Sequence, residues 1–149
     1  MADHAAMSTV AVVEDHGPLR VFLRDALTST GWTVTGIAGS VDTGEELLLG
    51  TAPDLAVVDL HLASEGGGHA LIARLREAGS TTRIVVFTAS ADPAELRAVV
   101  NAGVEGIVLK EGGLPELASG LNAVAAGARF LSPSLPSGVW HALSALQAA

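Results

Sequence analysis

The sequence predicts an α/β fold in which a parallel β-sheet is covered by helices on both faces. Short apolar runs rich in valine alternate along the chain with segments whose apolar residues recur at helical spacing. The apolar runs are continuous, which is typical of strands that are buried on both faces. The chain has 149 residues, of which 49% are hydrophobic, enough for one domain with a substantial core. We therefore expect a single folded domain.

Five strand–helix units follow one another. The predicted strands are TVAVVED, WTVTGIA, PDLAVVDL, TRIVVFTA and GIVLK. The predicted helices are GPLRVFLRDALTSTG, SVDTGEELLLG, GHALIARLREAG, DPAELRAVVNAG and LPELASGLNAVAAG. Ser40 and Asp92 are predicted N-caps, Pro93 suits a first helical position, and Gly31 and Gly50 mark helix ends. Five such units predict a flavodoxin-like doubly wound sheet with strand order 2-1-3-4-5.

The C-terminal segment, residues 129–149, differs from the rest. Two prolines between Ser132 and Ser137 separate it from the fifth predicted helix. The run SGVWHALSALQAA predicts a short amphipathic helix, with one apolar side formed by Val139, Trp140, Leu143 and Leu146. We expect an N-terminal extension over residues 1–7, the α/β domain over 8–128, and a linker helix over 129–149.

Composition excludes several classes of function. The chain has no cysteine, so it forms no disulfide, zinc–thiolate site or thiol nucleophile. Its net charge of -8, with eight Lys and Arg residues, argues against nucleic-acid binding by this chain alone and favours Mg²⁺ and basic partners. No basic leader precedes the first apolar run, and no apolar run approaches the ~20 residues that span a membrane. We expect a cytoplasmic protein that does not bind membranes.

Polar residues stand at the predicted carboxyl ends of four strands, where doubly wound sheets bind ligands. These residues are Glu14, Asp15, Asp59, Thr88 and Lys110. Three carboxylates at one edge repel one another unless a hard cation such as Mg²⁺ lies among them. A lysine ammonium and a threonine hydroxyl suit phosphoryl oxygens, and an ionised aspartate can attack phosphorus. We therefore predict that Asp59 is a phosphoacceptor, and that the glycines of the following EGGG run let the next loop approach it.

The segments VVED, VVDLHL, VVFTAS and GIVLKEG, in this order and at these separations, resemble the receiver domain of two-component response regulators. The resemblance covers about residues 8–128. It implies that Glu14 and Asp15 hold Mg²⁺ and that Asp59 is both the phosphoacceptor and a metal ligand. It also implies that His61 contributes its backbone carbonyl to the metal. The implied cofactor is Mg²⁺, and the implied phosphodonor is a histidine kinase or a small molecule.

The resemblance further implies that Thr88 and Lys110 contact the phosphoryl group, and that Thr88 carries the switch to the fourth and fifth helices. The surface of the fourth helix, fifth strand and fifth helix would then control dimerisation or an output domain. Two positions depart from the family pattern. Ile107 stands where an aromatic switch residue is usual, and isoleucine is stiff at χ1. Ala63 stands where proline is usual, which favours a more mobile loop.

The segments DHGPLR and AVAAGARFLSPSL resemble the NarL/FixJ (LuxR-type) subfamily. Members of that subfamily continue into a helix-turn-helix DNA-binding domain that regulates transcription. This sequence ends near where such a domain would begin, so the domain was removed or never existed. A homodimer is a further implied partner.

Three alternatives stay open at this point. The chain could be a non-phosphorylated receiver that serves as a constitutive interaction module, as Ile107 and Ala63 suggest. It could be a phosphatase or phosphotransferase using Asp59, although DLH follows where a second acid would be needed. A flavin-binding protein is disfavoured because the first loop lacks a Ser/Thr phosphate cradle. We expect a regulator that promotes only its own phosphorylation and dephosphorylation.

Overall fold

The computed structural model describes residues 9–62 and 66–148 of the chain. Strands and helices alternate through these residues, as the sequence predicts. They are β1 (Thr9–Val13), α1 (Gly17–Ser29), β2 (Thr33–Ala38), α2 (Val41–Thr51), β3 (Leu55–Val58), α3 (Gly67–Glu77), β4 (Arg83–Thr88), α4 (Pro93–Asn101), β5 (Gly106–Leu109), a short 3-10 helix (Lys110–Gly112), α5 (Gly113–Ala125), β6 (Phe130–Leu131) and α6 (Ser137–Ala148).

The strands form one parallel sheet in the order β2-β1-β3-β4-β5-β6. The predicted doubly wound order of the first five strands is confirmed. The sixth strand was not predicted: Phe130 pairs with Gly106 and Leu131 with Ile107 along the outer side of β5. A strand of two residues is too short to show the alternation of a β-strand, and the prolines that follow it indicate only the end of a regular element. Within residues 9–62 and 66–148 the sheet therefore has six strands.

The inner strands β1, β3, β4 and β5 are buried on both faces, which is why their sequences are almost continuously apolar, whereas the edge strand β2 is only partly buried. Alternate side chains point to opposite faces. On one face Val12 and Phe87 pack with α1 and α5. On the other face Val13, Val58 and Ile107 pack with α2, α3, α4 and α6. The sheet thus has one apolar layer on each face, and the polar groups lie at its carboxyl edge.

Local signals account for the helix starts that lead away from this edge. Ser40 caps α2 as predicted: its hydroxyl accepts the Thr43 N–H at 3.1 Å, and the Thr43 hydroxyl accepts the Ser40 N–H at 3.2 Å. Pro93 begins α4, also as predicted. Asp92 occupies the N-cap position, but its side chain accepts no capping hydrogen bond. The proline therefore contributes more to the start of α4 than the aspartate does.

The predicted C-terminal helix is present as α6, and its apolar side packs against α4. Leu143 is 2% exposed, and Val139, Trp140 and Leu146 are partly buried beside it. Because β6 lies along β5 and α6 lies on α4, the predicted α4-β5-α5 face is partly covered. None of the helices in the described part of the chain is long and apolar enough to cross a bilayer.

Candidate functional site

The predicted site residues lie together at the carboxyl edge of the sheet. Glu14 and Asp15 follow β1, and Asp59 follows β3, the strand beside it. Thr88 is the last residue of β4, and Lys110 comes directly after β5. Because all these strands are parallel and adjacent, their ends meet at one place.

A single ammonium group links two buried carboxylates at the centre of this edge. Lys110 Nζ lies 3.0 Å from Glu14 Oε1 and 3.2 Å from Asp59 Oδ2. Glu14 is 2% exposed and Asp59 is 5% exposed, so both negative charges are largely removed from water. Burial of a charge is unfavourable unless a partner compensates it, and Lys110 is that partner here.

The backbone fixes the direction of both carboxylates. The His16 N–H donates to Glu14 Oε2 at 3.1 Å, and the His61 N–H donates to Asp59 Oδ1 at 3.2 Å. Arg20, one turn into α1, donates to the backbone carbonyl of Glu14 at 2.7 Å. Each acidic side chain therefore has one oxygen on a main-chain N–H and the other on the lysine.

The charges of the site shift two pKa values. Burial raises the pKa of Glu14, and the nearby Asp59 charge acts in the same direction; hydrogen bonds from Lys110 and His16 offset this only in part. Burial tends to lower the pKa of Lys110, but contacts with Glu14 and Asp59 outweigh it and raise that pKa. The lysine is therefore held in its charged form, and it compensates the burial of Glu14 only in part.

The acidic side chains can hold a metal ion. Glu14, Asp15 and Asp59 each offer one carboxylate oxygen, and these oxygens lie within 4.8 Å of one another. Across residues 9–62 and 66–148, this is the one group of three His, Cys, Asp or Glu side chains that meets this condition. Hard carboxylate oxygens fit a hard divalent cation such as Mg²⁺.

The two predicted switch residues are buried. Thr88 is wholly buried, and its hydroxyl oxygen accepts the Ser90 N–H at 3.2 Å. Ile107 is 0% exposed and belongs to the core beneath α4. An isoleucine in this position is held by packing rather than by a polar contact. Ala63, the other departure from the family pattern, lies outside the described residues.

The loop after β3 returns to the site through glycines. A Cβ on Gly68, in the first turn of α3, would overlap the carbonyl oxygen of Asp59. Gly67 has φ +54°, a conformation that side chains disfavour. Both glycines therefore let α3 begin directly against the end of β3.

One group at the site has no counterpart among the predicted residues. Glu95, in the first turn of α4, contacts the imidazoles of His61 and His69, with its Oε2 at 3.1 Å and 3.2 Å from their Nε2 atoms. The three residues are far apart in sequence, and an acidic residue near a helix N-terminus is common for electrostatic reasons alone. No spacing in the sequence could have indicated this cluster.

Fold and site together define a doubly wound α/β protein with a cluster of acidic side chains, able to hold a cation, at the carboxyl edge of its sheet. Comparison with known proteins is consistent with this class and narrows it. Residues 10–122 match the family described as the response regulator receiver domain. The chain is 31% identical over 129 residues to the nitrate/nitrite response regulator protein NarL of Escherichia coli K12, covering 86% of this chain and 59% of NarL. The chain belongs to the response regulator receiver family and is of the NarL/LuxR type.

Solved structures agree. A LuxR-family two-component response regulator from Aurantimonas sp. SI85-9A1 has a TM-score of 0.84 and 27% identity, covering 91% of this chain and 97% of that one. The isolated receiver domain of RcsB from Salmonella enterica serovar Typhimurium, solved with the phosphomimetic BeF3-, has a TM-score of 0.79 and 27% identity, covering 89% and 98%. The chain thus matches an isolated receiver domain almost end to end, but spans less than two-thirds of NarL.

Proposed function

We propose that the chain is a phosphorylation-dependent switch of a two-component system, with Asp59 as the phosphoacceptor. The observation that carries this proposal is the buried Asp59 carboxylate, which lies 3.2 Å from Lys110 and beside two further carboxylates that suit a divalent cation. A carboxylate buried only for stability would gain nothing from two acidic neighbours.

In this reaction an Asp59 oxygen attacks the phosphorus of an acyl or histidyl phosphate, and the bond between phosphorus and the donor's oxygen or nitrogen breaks. Glu14, Asp15, Asp59 and the His61 carbonyl would hold Mg²⁺, which would supply positive charge to neutralise the transferred group. Lys110 already lies within hydrogen-bond distance of Asp59 and would contact a phosphoryl oxygen. Because phosphoryl transfer depends mainly on positioning and charge, these groups are a sufficient set.

The proposed readout begins at Thr88, whose hydroxyl would leave the Ser90 N–H and turn toward the phosphoryl group. The α4-β5-α5 face, with the α6 helix that covers part of it, would then change its interactions. The partners are a histidine kinase or a small phosphodonor, and a second copy of the chain for dimerisation. DNA binding and transcription regulation would come through a helix-turn-helix domain of the kind found in longer relatives.

A constitutive interaction module is the second candidate. The buried Ile107 favours it, because a side chain locked in the core offers no group that reports phosphorylation. We place the switch first because the acidic cluster and Lys110 have no use in a module that does not bind metal. In both cases the chain is a regulator in the cytoplasm and does not act as a metabolic enzyme.

Intact mass after incubation with Mg²⁺ and acetyl phosphate tests the proposal. The wild-type chain gains the mass of one phosphoryl group, and Asp59→Asn gains none. Asp25→Asn, an exposed residue on α1, is the matched control and gains the same mass as wild type. If the acyl phosphate hydrolyses too fast to be seen, Mg²⁺-dependent binding of beryllofluoride replaces it. Labelling of Asp59→Asn, or no response to either reagent, contradicts the proposal.

A further inference from the structure

Glu95 is the one α4 side chain, among the described residues, that hydrogen-bonds to groups outside its own helix near the site. Its Oε1 lies 3.2 Å from His61 Nε2, and its Oε2 lies 3.1 Å from the same nitrogen and 3.2 Å from His69 Nε2. His61 belongs to the loop after β3 and His69 to the first turn of α3. One carboxylate therefore ties α4 to two neighbouring parts of the fold.

Two short chains of hydrogen bonds lead from the proposed phosphorylation site to the start of α4. In the first, Asp59 accepts the N–H of His61, whose imidazole contacts Glu95. In the second, Thr88 accepts the N–H of Ser90, whose hydroxyl accepts the N–H of Asp92, the N-cap residue of α4. The phosphoacceptor and the buried threonine thus reach the start of the same helix by separate routes.

The contacts keep Glu95 ionised. Burial tends to raise its pKa, but the neighbouring His69, Ser90 and His61 side chains outweigh burial and lower it. An ionised carboxylate only accepts hydrogen bonds, so the imidazoles of His61 and His69 donate to it. A change in either donor therefore alters the position of the Glu95 carboxylate.

The other side of α4 packs against the C-terminal helix. Leu96, the residue after Glu95, and Val99 are wholly buried in the layer that contains Leu143 of α6. Trp140 is partly buried against the same layer. A displacement of the first turn of α4 is therefore transmitted to α6 by direct packing, because close-packed layers do not deform continuously.

We propose that Glu95 is a positioning residue that couples the phosphorylation site to α4 and, through α4, to the docking of α6. The inference rests on the proposed function. It assigns the readout of phosphorylation to polar contacts of Glu95, whereas Ile107, the predicted switch residue, is wholly buried and stiff at χ1. Phosphorylation moves the donors of Glu95, and the docked position of α6 changes with them.

The chain offers a direct readout of this coupling because it has two tryptophans, Trp140 in α6 and Trp32 in the other apolar layer. Both are labelled with 5-fluorotryptophan, and the fluorine spectrum is recorded before and after Mg²⁺ and beryllofluoride are added. Bound beryllofluoride gives its own fluorine signal, so binding and response are measured in one sample. Wild type binds beryllofluoride, and its Trp140 signal shifts.

In Glu95→Gln we expect beryllofluoride to bind while the Trp140 shift is mostly lost. Coupling residues change such equilibria by about 2- to 30-fold. Asp92→Asn is the matched control: it removes the same charge from the same helix end, where the aspartate makes no capping bond, and it responds as wild type does. The double variant His61→Ala/Ser90→Ala cuts both routes without touching Glu95, and it repeats the loss even if Glu95→Gln fails to fold.

Three outcomes contradict the inference. A full Trp140 shift in Glu95→Gln or in the double variant shows that Glu95 is not the junction. A wild-type chain that binds beryllofluoride with no Trp140 shift shows that α6 does not respond. A wild-type chain that binds no beryllofluoride refutes the proposed function itself, and the coupling with it.

Discussion

Lys110 is the only lysine of the chain, and its replacement by methionine isolates the role of one charge. Methionine keeps an unbranched apolar side chain but leaves Glu14 and Asp59 buried without their cation. We expect Lys110→Met to lower the free energy of unfolding in metal-free buffer, because removing one partner of a buried ion pair leaves the other uncompensated.

The structure sets the size of this loss. The ammonium group lies 3.0 Å and 3.2 Å from its two partners. At an effective dielectric constant of about 20, each such pair attracts by about 5 kcal/mol before desolvation is subtracted. Net losses for broken buried pairs are about 3 to 5 kcal/mol. The lysine side chain keeps 25% of its exposure, so we expect the lower end, about 3 kcal/mol. That corresponds to a fall in Tm of about 6 to 12 °C.

The loss also depends on pH and on metal. Ionisation of Glu14 opposes folding as pH rises, because its pKa is raised in the folded chain, so the loss in Lys110→Met is larger at pH 8 than at pH 5. Mg²⁺ supplies positive charge to the same carboxylates, and we expect it to restore more stability to the variant than it adds to wild type.

Urea unfolding in EDTA and in Mg²⁺ measures both effects. Arg24→Met is the matched control, because Arg24 pairs with Asp25 on the surface and such pairs contribute less than about 1 kcal/mol. If Lys110→Met is as stable as wild type in EDTA, or if Mg²⁺ stabilises the two chains equally, Lys110 does not neutralise the acidic cluster.

Three further predictions concern the fold around the site. Gly68→Ala places a Cβ against a backbone carbonyl at the end of β3, so we expect it to lower the Tm. Gly50→Ala has open space around its Cβ, so we expect the Tm to stay the same or rise, and thermal denaturation measures both values. Leu143→Ala removes a buried side chain of α6 and lowers the free energy of unfolding by about 2 to 3 kcal/mol in urea titrations, while Leu49→Ala, 43% exposed, changes it little. The hydroxyls of Ser132 and Ser134 hydrogen-bond to Glu116 and lower its pKa, although partial burial acts in the opposite direction. The contact therefore stabilises the chain at neutral pH and is lost as pH falls through the pKa of Glu116. We expect hydrogen exchange of the C-terminal segment to increase at that pH, and an unchanged exchange pattern contradicts this prediction.

Strand and helix order could be predicted because each signal is local. The continuous valine runs become strands buried on both faces, and Ser40 and Pro93 start helices for reasons contained in a few neighbouring residues. The meeting of Glu14 with Lys110 was predictable as well, since parallel strand ends share one edge whatever the details of packing.

The features that could not be predicted depend on contacts between distant segments. β6 has two residues and exists because β5 offers a free edge beside it. Glu95 and His69 carry no signal in the sequence, and His61 was predicted only as a backbone ligand; the folded chain brings the three side chains together. The sequence signals for such contacts are spread over too many residues to be recognised singly.

The position of the phosphoryl group tests the central claim most directly. The chain is phosphorylated with acetyl phosphate and Mg²⁺, reduced with borohydride, which converts an aspartyl phosphate to homoserine, and analysed by peptide mass spectrometry. The account predicts homoserine at position 59 alone, and none when Mg²⁺ is removed. Homoserine at another aspartate, or phosphate retained on a histidine or serine of a chain whose Asp59 is unchanged, contradicts it.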